Sequence, residues 1–109
     1  MVANRPLLAR HQVPEVDAAA LEAARFADVA LAAALDMENE RWAKYLAYMP
    51  DRLRDDPIPG IRATARAVRA AYGPKDSIRD ALPEHVTEPL LKSVDRLLKV
   101  IARFEMHAD

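Results

Sequence analysis

The 109-residue chain contains no cysteine. That excludes disulfides, thiolate-bound zinc and a cysteine nucleophile, and it fits a reducing compartment. Glycine occurs only at Gly60 and Gly73, so no glycine-rich phosphate loop is present. Ser77 and Ser93 are the only serines, and neither stands in an arguable nucleophile–base relation to a histidine. An excess of charge of either sign is also missing, with 16 bases against 17 acids and a net charge of −1. No global basic field argues for nucleic acid, and no acidic surplus argues for a solvating tail. Long apolar runs are absent as well. The longest uncharged run of the alanine-rich stretch is Val29 to Leu35, far short of a membrane span. The first residues lack the apolar run of a secretory signal. A cytoplasmic protein with no membrane contact is the expectation.

What is present reads as one small globular domain. Apolar residues make up 51 % and charged residues 30 %, which separates the chain from disordered sequences. Alanine occurs 22 times, and 12 arginines stand against 4 lysines, a bias that GC-rich bacterial genomes often produce. The eight prolines, at 6, 14, 50, 57, 59, 74, 83 and 89, leave three long gaps. Proline inside a helix costs about 3 kcal/mol, so the gaps are the natural helical segments.

The spacing predicts an all-α fold, a small helical bundle. Residues 1–14 read as an extended arm bracketed by Pro6 and Pro14, with Leu7, Leu8 and Val13 to bury. Residues 15–109 form the bundle. Its first helix runs from about 15 to 49, with Glu15 and Asp17 in a first turn that favours acids. Its apolar stripe is Leu21, Ala24, Leu31, Leu35, Trp42, Tyr45 and Met49. Pro50 stops or kinks it, and 51–56 carries at most a turn or two before a proline-rich loop. A middle helix spans 60–72 and ends at Gly73-Pro74. Ser77 and Asp80 resemble a capping box for a short helical turn at 77–82. The last helix covers about 87–107, with Thr87 as N-cap and Pro89 in the first turn. On it Leu90, Val94, Leu97, Ile101 and Phe104 make the clearest amphipathic stripe of the chain. Glu88–Lys92 and Asp95–Lys99 are ion pairs in the favourable order.

A continuous 35-residue helix is about 52 Å long, whereas a compact domain of this size is roughly 34 Å across. Such a rod must break near 34–37 or bury its flank in another subunit. A homodimer through Leu21, Ala24, Leu31 and Leu35, with the first helices near antiparallel, follows from the second option.

Candidate sites are few, and each has a plainer structural reading. Trp42, Tyr45 and Tyr48 can dock a partner, or serve as core. Tyr48 lies off the main stripe. Arg62, Arg66 and Arg69 share one face, and Lys92, Arg96, Lys99 and Arg103 share another. Either row can grip phosphates or a partner, though such faces usually serve solvation, and no helix-turn-helix accompanies them. Asp28 and Glu38 fall on the apolar stripe, where an acid requires pairing. Arg25 and Arg41 are the local partners. Only a twofold axis brings the two acids together. Asp36 and Glu40 stand at i,i+4, as do Glu40 and Lys44, but no Glu-x-x-His accompanies them. His11, His85 and His107 fall in the arm, a loop and the C-terminal end. No metal or cofactor is expected. The favoured function is a non-enzymatic helical interaction module that self-associates. The alternatives are a small DNA-binding regulator using the two basic faces, and a ligand- or metal-binding bundle with acids converging across a dimer axis.

Overall fold

The computed structural model describes residues 9–107, and their side chains as far as Glu105. The described residues are helical and contain no strand. Six helices follow a short 3-10 turn at Arg10–Gln12: α1 Pro14–Asp36, α2 Glu40–Leu46, α3 Met49–Asp55, α4 Ile58–Ala70, α5 Ile78–Ala81 and α6 Glu84–His107. The outer residues of the expected arm, Leu7 and Leu8 included, lie outside the described residues. The part nearest the bundle turns rather than extending.

The prolines act mainly as helix starters. Pro14, Pro50 and Pro59 each occupy the first or second position of a helix, where the missing N–H has no partner to lose. Pro50 thus begins α3 instead of ending the helix before it, and α4 starts two residues earlier than its composition suggests. Ser77 caps α5 as expected, accepting from the Arg79 N–H at 3.1 Å. The last helix starts at Glu84, not Thr87, and carries Pro89 inside it.

The expected helix over 15–49 is broken. Asn39 N–H donates to the Ala34 carbonyl at 2.8 Å and Glu38 N–H to the Leu35 carbonyl at 3.1 Å. These are the two bonds of a Schellman motif. Glu38 takes the left-handed position with φ 55, a place usually held by glycine. Asn39 then caps α2, its side chain accepting from the Trp42 N–H at 3.2 Å. The chain stops one helix and starts another within three residues. At 23 residues, α1 is about 35 Å long, well within the 51 Å long axis of the molecule. The length argument for a second subunit therefore disappears.

The helices form a four-membered ring in up-down-up-down order. α1 rises, α2 and α3 together descend, α4 rises and α6 descends, each packing on its neighbours and α6 closing onto α1. Ion pairs between Arg62 and Glu105 and between Arg69 and Asp95 set α4 antiparallel to α6. Arg10 fastens the start of α1 to the end of α3. Its guanidinium bonds Asp17 at 2.8 Å and the carbonyls of Leu53 and Asp56 at 2.9 and 3.0 Å, two acceptors that the end of α3 leaves free.

The core is asymmetric in side-chain size. α1 contributes Val16, Ala19, Ala20, Ala23, Ala24, Ala27, Ala30 and Ala34, all buried. The other helices fill the same core with larger side chains, Leu46, Met49, Leu53, Ile61, Val68, Leu90, Val94, Leu97 and Ile101. Alanine has no reach, so the neighbouring backbones stand close to α1. The alanine face belongs to this chain's own interior, and Ala24, expected at a dimer contact, is part of it.

Candidate functional site

Turning the alanines inward leaves α1 with two solvent-facing flanks. On one, Leu21, Asp28 and Leu35 follow one another at i,i+7. Leu21 and Leu35 are 47 % and 60 % exposed, and Leu31 beside them is half-buried. Met37, just past the helix end, is also exposed, at 53 %. Asp28, between the leucines, pairs with Arg54 of α3 at 2.6 Å, and Arg54 also binds Asp51 at 2.5 Å. The hydrogen bonds to Asp28 and then Asp51 raise the Arg54 pKa. Neither sequence-local arginine serves Asp28. Arg25 lies over the Phe26 ring and Arg41 over the Trp42 ring.

On the other flank, α1 and α6 border an open groove of about 960 Å³. Lys92, Arg96, Lys99 and Arg103 form one lip, with Asp95 of the same helix also lining it, Glu15 and Glu22 stand on the other, and Ala18, Ala19 and Val100 lie between. A smaller hollow of about 380 Å³ shares Pro14, Glu15, Val100 and Arg103 and reaches Val13 and Phe104. Glu15 and Glu22 carried no functional expectation in the sequence. The signal was available in their seven-residue spacing, but their facing α6 is a matter of packing.

The aromatic cluster divides. Trp42 is buried, with Tyr45 packed edge-on at 5.3 Å. Tyr45 donates to the Ala67 carbonyl at 2.5 Å, an acceptor in the last turn of α4. Burial, then the neighbouring Tyr48, raises the Tyr45 pKa. Both rings are structural, and Trp42 presents no surface to a partner. Tyr48 is 50 % exposed, with the Arg52 guanidinium 4.7 Å from its ring centre. Tyr72 mirrors Tyr45 at the same end of the bundle. It donates to the Thr87 carbonyl at 2.6 Å, and burial pushes its pKa well up.

The Arg62, Arg66 and Arg69 row lies along the α4–α6 seam. Arg62 is engaged with Glu105, and Arg69 Nε stands 3.3 Å from Asp95 Oδ1 without hydrogen-bond alignment. Arg66 is exposed. The expected pairs within α6 do not form. Glu88 binds Arg79 at 2.9 and 3.0 Å, which lowers the Glu88 pKa, and Asp95 faces Arg69.

Asp36 and Glu40 fall on either side of the helix break and no longer share a helical face. Glu38 sits in the break itself. His11 and His85 are exposed, and the His107 side chain lies outside the described residues. Among the described residues no three histidine or carboxylate groups converge in a way that could hold a metal ion, and no helix is long and apolar enough to cross a membrane. The fold and its two flanks define a small four-helix bundle with one apolar and one charge-divided surface. Comparison with protein-family models, curated proteins and solved structures found no match.

Proposed function

We propose that this protein is a non-enzymatic helical interaction module of the cytoplasm that self-associates through the outer flank of α1. The observation behind the reading is the line Leu21, Asp28, Leu35, whose apolar ends are about half exposed or more. The line is symmetric about Asp28. A second copy laid antiparallel across it sets each Leu21 against a Leu35, the isologous geometry of a twofold dimer. Each Asp28 carboxylate near the axis is already paired with Arg54, which also holds Asp51, so the charge at the centre is partly offset, with one net negative charge left per copy. A contact of one helix flank falls toward the low end of specific interfaces, near ~1,200 Å² in total, the size of weak, transient contacts, and the proposal takes a dissociation constant of about micromolar order.

Light scattering coupled to size exclusion tests this. A mass rising from monomer to dimer across the micromolar range is expected, with Leu35→Glu holding the chain monomeric and its circular dichroism unchanged. Monomer mass at about 100 µM, well above a micromolar constant, overturns self-association.

A further inference from the structure

The three acids that α6 directs toward its neighbours are all taken by arginines from elsewhere: Glu88 by Arg79, Asp95 by Arg69 and Glu105 by Arg62. The lysines that Glu88 and Asp95 would have served, Lys92 and Lys99, are left facing the groove. Among the described residues, Lys92, Arg96, Lys99 and Arg103 take part in no ion pair. They stand exposed at i, i+4, i+7 and i+11, one cation per helical turn over about 16 Å. The opposite lip carries Glu15 and Glu22, one heptad apart, and the strip between is alanine and valine.

We infer that this groove binds an amphipathic helix of a partner protein, its acidic edge on the α6 row and its small apolar face on Ala18, Ala19 and Val100. The spacing of the cations matches the rise of a helix, so acids at the same periodicity meet them one to one. The alanine floor admits a fifth helix at the close interaxial distance of about 8 Å that small residues allow. The charge division of the groove selects the occupant class. A nucleic-acid duplex presents phosphates to both lips, and Glu15 and Glu22 repel it. A helix with acids on one edge and bases on the other is complementary to both lips and is held in one orientation. This surface lies on the opposite flank of α1 from the proposed self-association contact and does not depend on it.

The test is fluorescence anisotropy with a labelled alanine–leucine helical peptide. The peptide carries glutamates at i, i+4, i+7 and i+11 on one edge and lysines on the other. A shuffled peptide of the same composition and a random-sequence DNA duplex serve as comparison probes. The patterned peptide is expected to bind at least tenfold more tightly than either, and binding is expected to weaken with salt. Arg96→Glu with Lys99→Glu lowers its affinity at least tenfold while circular dichroism and Tm stay unchanged. Equal binding of the shuffled peptide, an unaffected double variant, or no binding of the patterned peptide overturns the assignment. Tighter binding of the duplex replaces it with nucleic acid. Repeating the titration in the Leu35→Glu background separates the two surfaces. Retained peptide binding there supports the groove whether or not the chain dimerises.

Discussion

Replacing Ala27 by leucine asks whether the alanine face of α1 is an interior or an exterior surface. Ala27 is fully buried, as are Ala23 and Ala30 on the adjacent turns. If free space existed, three added carbons would stabilise the fold by about 2.4 kcal/mol, at ~0.8 kcal/mol each. The fold leaves little, because α1 packs directly on α2, α3 and α6 and its alanines are buried in one core with their large side chains. Seating leucine forces neighbouring helices from about 8 Å toward about 10 Å separation, and overpacking of this kind costs about 1–3 kcal/mol. A net loss of about 2–3 kcal/mol is expected, a large share of the roughly 5–15 kcal/mol that holds a domain together. At about 4–8 °C per kcal/mol, Tm falls by roughly 10–20 °C. Urea and thermal unfolding followed by circular dichroism measure this, at two protein concentrations so that any contribution from association is seen. Ala32→Leu is the control. Ala32 is exposed on the same helix and should change stability by no more than about 0.5 kcal/mol. If Ala27→Leu matches the wild type while Ala32→Leu destabilises, the alanine face points outward and the close packing of α1 is refuted.

Two further outcomes follow from single backbone and side-chain features. Glu38→Gly relieves a left-handed residue and should stabilise by about 0.5–1 kcal/mol net of the entropy glycine adds to the unfolded chain. A lower Tm for that variant means the Schellman turn does not set the end of α1. Tyr72 keeps its proton in the folded state because burial raises its pKa, whereas an unfolded tyrosine loses it near pH ~10. Stability is thus complete below about pH 10 and declines as pH rises beyond it toward the folded pKa. Tyr72→Phe should blunt this alkaline decline of Tm while costing about 1 kcal/mol at neutral pH for the lost bond to Thr87. An unchanged alkaline profile refutes the assignment.

The helical class and the amphipathic faces of α4 and α6 are legible in the sequence because they depend on periodicity, a local property. Ser77 as a cap is legible for the same reason. The break after Asp36 was harder to read. It lacks glycine and proline, and its only local mark is Asn39, whose capping role shows once the chain has turned. Composition marks Pro50 as a stop or kink and Pro59 as part of a loop, yet proline is equally at home in the first turn of a helix, and position relative to the turn decides which applies. Pro89 was placed at a helix start for that reason. The helix instead begins at Glu84, with the Val86 and Thr87 N–H groups donating to the Pro83 carbonyl and Tyr72 bonded to the Thr87 carbonyl.

The candidate surfaces divide along the same line. Leu21, Leu31 and Leu35 were identifiable as an apolar line, but not as the edge of a buried alanine face. Apolarity alone does not say which side of a helix the neighbours choose. The α6 cations were identifiable as a row, with Glu88 and Asp95 as their expected local partners. Only the folded chain takes those acids away, because Arg79 and Arg69 come from other helices, α5 and α4. The sequence by itself determined that this is an all-α chain with an alanine-rich first helix and charged rows at helical spacing. The tertiary structure decided which face of α1 is interior, where the long helix ends, and which cations are left facing the groove. Periodicity is encoded in neighbours along the chain, whereas burial and charge pairing are set by residues that meet only when the bundle closes.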